Sequence, residues 1–515
     1  MRSICWKSEW APLARRFAGL VAITDRDGDV TYAELFAAAA GAARRLSGAG
    51  VGPGDVVATM IPNSRLAVAA SLGVTLSGAA EAPINPRLSD EEALHCLTLS
   101  GAKTLIVAGA VEAGFAAGVN VVRAETIPPD SFRDLPAITV EPEAWGRVMF
   151  TSGTTGKPKG VIHSQGGRWL ANLLQRASLP NASAPGRRIL LMTPYSHGAS
   201  LLTQAYLDGG GAVTLLDGVA VEVVEGILRG GGASEMFAPP TVLAKIVAAL
   251  EGQEIRGVAT IFTGTAPLSP ELYRQARRIF GPVVRVTFGK TEVFNPIAVM
   301  TGAETDLWYA DPASSETTCV GWPASGVEVK IGDGDDPDAA GEGGERRIGP
   351  VMIRAQHMLA AILTGSGLQA TGPEEFHRTG DLGFFDEVGR LHLVGREADV
   401  IKSGGYRVTP EEIEGKLQAA LPHGELVIVG LPSAYWGEVI TAVAAGAPPN
   451  WRELLGPALE SLTGFKRPRL FVDAPEIARN AMGKIVRSRT RDAVLARHCF
   501  VDGRYPEINI RAAAD

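Results

Sequence analysis

Residues 148–164 read VMFTSGTTGKPKGVIHS. An apolar run feeds Thr151, Ser152, Gly153, Thr154, Thr155, Gly156 and Lys157. Small residues let successive backbone N–H groups converge on an anion, and the hydroxyls add donors. Lys157 and Lys159 supply positive charge. Such a run suits a polyphosphate. It is not a Walker A loop, which sets four residues between its first glycine and the Gly-Lys pair, then Ser or Thr. Here Gly153 and Gly156 enclose two residues, and Pro158 follows Lys157. An ordinary Gly/Thr turn does not need so long a run.

Further short motifs follow in order: FGKTE at 288–292, HRTGDLGFFDEVGRLHLVGR at 377–396, SGGYRVTPEEIE at 403–414 and NAMGKIVRS at 480–488. Together with TSGTTGKPKG they resemble the adenylate-forming superfamily: acyl- and aryl-CoA ligases, peptide-synthetase adenylation domains and luciferases. The resemblance covers essentially the whole chain and is most like acyl- or aryl-acid CoA ligases. It implies ATP-dependent conversion of a carboxylic acid to acyl-AMP, then thioester formation with CoA. The first step brings an acid anion against a polyanionic nucleotide, so catalysis is mostly charge neutralisation and alignment.

By resemblance, residues 151–157 grip pyrophosphate and Gly264, Thr265 and Ala266 pack against adenine. Phe288 and Gly289 stand beside them, Phe288 where the superfamily often has Tyr. Thr291 contacts the α-phosphate, and Glu292 helps hold Mg2+, a hard cation that takes oxygen ligands. Asp381 accepts from the ribose hydroxyls, and Arg396 meets phosphate or ribose oxygen with its planar fork. Lys484 matches the C-terminal catalytic lysine. An isolated lysine is ordinarily a solvated charge; here the motif around it argues for a role between acid and α-phosphate. One unit-charge contact at 4 Å is worth about 4 kcal/mol at an effective dielectric of 20.

For the thiol acceptor, Gly404 and Gly405 resemble a loop lining the pantetheine path, where two glycines let the arm pass close to backbone. Trp436, Phe465, Arg467 and Arg87 resemble positions that some aryl-CoA ligases use for the CoA nucleotide; each alone reads more readily as structural. The alternative is a ligase that loads a carrier-protein thiol. The acid pocket is expected from 195–202 (YSHGASLL), 264–266 and 289–296. Its first segment offers His197 and no Asp, which disfavours an α-amino acid. His197 would orient the acid carboxylate or gate the pocket. Neighbours such as Ala199, Leu201, Val293, Phe294 and Ile297 favour a small or medium apolar acid.

These groups need a scaffold. Short β-rich runs (56–61, 104–109, 189–195, 212–217) alternate with 3.6-period runs (32–46, 65–79, 241–250, 269–280). Such alternation predicts parallel sheets covered by helices. Ser269-Pro270 predicts a helix start. After Arg396 the texture changes, and the last 118 or so residues carry strand and helix runs of their own. The expected fold is α/β: an N-terminal adenylation domain at 1–396, with helix-covered sheets and a β subdomain, and a small mobile α+β domain at 397–515. A hinge is expected near 396–399, with Ala398 where the superfamily usually has Asp or Lys.

Composition narrows the class. In 515 residues, 49 Lys+Arg against 56 Asp+Glu give a net charge of −7. That argues against a nucleic-acid partner, which calls for a basic face. Cys5, Cys96, Cys319 and Cys499 lack the close spacing of a zinc or redox pair. Sparse thiols and no apolar leader at the start predict a cytoplasmic protein. No stretch reads as a membrane span. The expected partners are a small carboxylic acid, ATP and CoA, with room for a homodimer.

Overall fold

The computed structural model describes residues 1–109, 115, 118–152, 158–179, 184–311, 314, 317–332, 348–372, 374–479 and 484–510, the side chains of Ser152 and Asn295 excepted. Residues 153–157 of the Gly/Thr run, and 480–483 ahead of Lys484, lie outside the described residues. The chain divides into two compact units. The first takes Met1–Leu307, Trp322–Glu328 and Ile353–His377; the second takes Trp308–Gly321, Val329–Met352 and Arg378–Asp515.

The first unit holds two sheets. In one, Trp145–Ser152, Ala80–Pro83, Val56–Met60, Thr104–Val107 and Asn120–Arg123 lie side by side and parallel. Pro158–Ser164, Ala361–Thr364 and Gly367–Ala370 extend it antiparallel beyond Trp145–Ser152. In the other, Val284–Lys290, Thr260–Thr263, Glu235–Phe237, Arg188–Leu191, Ala212–Leu215 and Val21–Asp25 run parallel. Both are wrapped by helices, as alternating strand and helix runs require. Helix Tyr32–Gly48 opens with a capping box, Thr31 and Glu34 each bonding the other's backbone N–H. Ser269 caps helix Pro270–Phe280 by accepting from Leu272 N–H.

One expected strand is shorter than its sequence suggests. The run 189–195 is extended only over Arg188–Leu191. Beyond it the Asn63 amide donates to the carbonyls of Thr193 (2.7 Å) and Leu216 (2.9 Å), and accepts from Tyr195 N–H (2.7 Å). These bonds take the backbone groups that a longer strand would have paired.

In the second unit, Ile401–Ser403, Tyr406–Val408, Gly437–Ala445, Glu425–Ser433 and Leu470–Ala474 form a five-stranded sheet. Strand Glu425–Ser433 shows why its sequence reads as a continuous apolar run. Leu426 and Ile428 enter one buried cluster with Ile413, Leu417 and Trp451. Val427 and Val429 enter another with Val443, Leu470 and Val494. Alternate residues face opposite sides, and both sides are covered. Residues from 397 onward thus bring a sheet and two apolar clusters, and they share their unit with earlier strands.

Candidate active site

The Thr291–Glu292 pair sits in a two-residue connection between strands Val284–Lys290 and Val293–Val299. Lys290 pairs with Val293 across it, and the register slips between Phe288 and Lys290, so Gly289 forms a bulge. Phe288 is half-buried and Gly289 exposed. Glu292 is 7% exposed. Its Oε1 lies 3.7 Å from Lys159 Nζ and 3.9 Å from His377 Nε2. Neither distance is a hydrogen bond. Burial pushes the His377 imidazole below its ordinary pKa, against the pull of Glu292 and with help from Lys159 and Lys290. The turn therefore presents a carboxylate beside a lysine and a largely neutral imidazole. The Glu292 carboxylate alone fits Mg2+, which binds through one or two carboxylates plus substrate phosphates.

Gly264, Thr265 and Ala266 follow strand Thr260–Thr263 and lie against Val284–Lys290. A Cβ on Gly264 would sit 2.2 Å from the Thr287 carbonyl oxygen. Only glycine permits that approach. Thr265 has φ +71°, the one non-glycine positive φ among the described residues. A β-branched residue held there is strained, and such strain concentrates at ligand sites. Thr265 and Ala266 are exposed.

Of the Gly/Thr run, Thr151 is the penultimate residue of strand Trp145–Ser152; its buried Oγ1 finds no partner among the described residues. Ser152 ends that strand, and Gly153, Thr154, Thr155, Gly156 and Lys157 lie outside the described residues. A buried donor left over beside this loop fits an anion arriving there.

His197 lies in a single wide turn, Tyr195–Ala199, where it leaves helical geometry (φ −124°, ψ −138°) and is half-exposed. The Asn63 bonds fix the start of this turn. Arg87 is engaged by Asp217, through the carboxylate at 3.1 Å and the carbonyl at 3.0 Å.

In the second unit, Asp381 is 6% exposed and pairs in register with Arg396, whose Nε lies 3.5 Å from Asp381 Oδ1. Gly404 and Gly405 form the tight turn between Ile401–Ser403 and Tyr406–Val408, with φ +59° and +85°. Paired positive φ is what a two-residue hairpin demands. The Trp436 ring lies against Gly404, and the Arg469 guanidinium covers that ring at 3.7 Å. Phe465 stacks on Tyr406 at 4.2 Å. Arg467 donates to the carbonyls of Leu462 and Glu460, both at 2.9 Å. Lys484 is half-buried on irregular backbone ahead of helix Arg487–Arg497.

Sequence reasoning passed over two neighbours of the Thr291–Glu292 turn. His163 is fully buried, accepts no charge because burial pushes its pKa down to about 3, and donates from Nε2 to the Thr291 carbonyl at 2.8 Å. His377 faces Glu292. Both histidines stood inside motifs already quoted, GVIHS and HRTGD, so the signal was present as residue type.

Comparison with known proteins places this geometry. The AMP-binding enzyme family matches residues 10–360. The 4-chlorobenzoate–CoA ligase of Arthrobacter sp is 29% identical over 511 residues, covering 93% of each chain. The probable non-canonical nonribosomal peptide synthetase CymA of Salinispora arenicola is 28% identical over 94% of this chain, which spans only 6% of that protein's length. The Bacillus subtilis o-succinylbenzoate CoA synthetase (MenE), solved with its acyl-adenylate intermediate, superposes with a TM-score of 0.82 at 25% identity, over 96% of this chain and 99% of that one. The family match spans well over half the sequence, and the chain belongs to the AMP-binding enzyme family.

Proposed function

We propose that the protein is an acid–thiol ligase that uses ATP to activate a carboxylic acid and then transfers the acyl group to CoA. End-to-end similarity to a CoA ligase, at equal coverage of both chains, carries this reading. The Thr291–Glu292 turn beside Lys159 and the strained 264–266 segment support it. An acid oxygen attacks the α-phosphorus of ATP, the bond to the β-phosphate bridging oxygen breaks, and pyrophosphate leaves. The CoA sulfur then attacks the acyl carbon, and AMP departs.

In this reading Thr291 donates to the α-phosphate, and Asp381 accepts from the ribose with Arg396 beside it. Residues 151–157 hold the pyrophosphate portion, Gly264–Ala266 leave room for adenine, and Phe288 and Gly289 border it. Glu292 holds Mg2+, which neutralises phosphate charge when bound. Lys484, on a mobile domain at 397–515, supplies a cation between acid and α-phosphate. The acid lies near 195–202 and 293–297, with His197 orienting its carboxylate; an apolar acid of small or medium size, aromatic ones included, suits those side chains.

Gly404 and Gly405 keep the backbone open for a pantetheine arm. Trp436, Phe465, Arg467 and Arg87 each already hold a partner within the protein, and each keeps a ring face or further donors with which to meet CoA. The test is hydroxamate trapping across short, branched and aromatic acids, followed by mass measurement of the CoA product. A trapped acyl group and a CoA thioester are expected. A trapped acyl group that transfers only to a carrier-protein thiol would replace CoA as acceptor. No trapping with any acid would refute ligation.

A further inference from the structure

Thr291 and Glu292 occupy a connection whose own backbone does not fix them. The ladder bulges at Gly289, one residue short of the last strand pair, Lys290 with Val293, and only two residues link the strands. Both of their carbonyls are instead held from outside. Leu359 N–H donates to the Glu292 carbonyl at 2.8 Å. His163 bonds the Thr291 carbonyl at 2.8 Å through Nε2. A carbonyl only accepts, so Nε2 carries the proton and Nδ1 keeps a lone pair. That buried Nδ1 finds no partner among the described residues. The ring plane is set by Phe294, stacked at 3.8 Å and 21°. Phe294 lies two residues beyond Glu292, so the turn and its holder lock each other.

His163 also stands on a telling strand. Pro158–Ser164 leads directly out of the Gly/Thr run and carries Lys159, whose ammonium lies 3.7 Å from Glu292. One strand thus places a charge beside the carboxylate and a donor on the preceding carbonyl. We infer that His163 is a positioning residue: its imidazole fixes the Thr291 carbonyl and thereby aims the Thr291 hydroxyl and the Glu292 carboxylate at the nucleotide. This rests on the ligase reading above and names a group that reading does not use.

The test separates the donor from the ring. His163→Phe keeps an aromatic ring against Phe294 and loses the donor. His163→Gln loses the ring and keeps a donor. Acid-dependent pyrophosphate–ATP exchange by the full chain gives kcat and KM for each. His163→Phe is expected to lower kcat by about ten- to a hundredfold, the range in which small misplacements of reacting groups act, with the KM for the acid nearly unchanged. His163→Gln should recover much of that loss. Both should melt within a few degrees of wild type. Wild-type rates in His163→Phe, or equal loss in the two variants, would overturn the inference. Rate losses that merely track losses in melting temperature would assign His163 to the core and overturn it too. A wild-type protein that exchanges with no acid refutes the ligase reading instead, and the two failures are told apart by that control.

Discussion

Replacing Gly264 by alanine puts the tightest approach in the proposed nucleotide region under direct load. The added Cβ would lie 2.2 Å from the Thr287 carbonyl oxygen and 2.9 Å from Thr287 Oγ1. Both are about an ångström or less too close, and the first is backbone, which cannot rotate away. Thr260–Thr263 and Val284–Lys290 are paired strands, so one must part from the other or residues 264–266 must lift. Overpacking of this kind costs about 1–3 kcal/mol. If residues 264–266 lift, that cost falls on nucleotide binding and raises the KM for MgATP by about five- to 150-fold. If the strands part, it appears as a lower urea midpoint. Pyrophosphate exchange at varied MgATP, with urea unfolding alongside, reads both. Gly226→Ala is the control: it lies in helix Val221–Arg229, where a Cβ meets nothing within 4 Å. It should gain about 0.5–1 kcal/mol, as Gly-to-Ala changes inside helices do. A Gly264→Ala protein matching wild type in both KM and midpoint would refute the close approach as a constraint.

Three other outcomes follow from the same reasoning. Lys484→Ala should lose acyl-AMP formation by about a hundredfold or more, as the loss of one close charge contact implies. It should still turn supplied acyl-AMP and CoA into thioester, and equal loss of both half-reactions would remove the lysine from its assigned step. Asn63→Ala strips three hydrogen bonds from 193–195 and 216, leaving the Tyr195 N–H buried and two carbonyls half-buried without them; a loss of about 2 kcal/mol and a raised KM for the acid are expected, measured by urea unfolding and exchange. Burial holds Glu411 up at about 7, against an ordinary 4.5. The folded state then binds that proton more tightly than the unfolded chain, so this contribution is fullest below about pH 4.5 and fades as pH rises through 7. Glu411→Gln should flatten that fade in stability measured from pH 4 to 8.

Motifs within single stretches were the legible part. The Ser269-Pro270 helix start, the alternation of strands and helices, and the strand leading into Thr291 all follow from short-range pattern, because caps and periodicity are local physics. What bends the chain after Leu191 is an amide 130 residues away, at Asn63, and no window of sequence holds both. The same holds for the grip of His163 on Thr291, 128 residues apart. For Arg467 and Trp436, residue type says what each can do; the two carbonyls that accept from Arg467 and the Arg469 guanidinium over the Trp436 ring appear only in the folded chain. Residue type sets what a side chain can do; tertiary packing decides whether it is available.

Ala398 stood out in the sequence as a small apolar residue where a polar one was expected. Its neighbours are both tethered. Glu397 is clasped by Arg378, with Nη2 to Oε2 at 2.9 Å. Asp399 is bonded at 3.2 Å by Arg487, a guanidinium that also joins Glu411 and Glu414. Between two moored residues, alanine contributes only its two backbone torsions and no side chain to anchor. If the stretch swivels as a hinge, the clasps on either side are what it must work against, and the residue between them adds no side-chain anchor of its own.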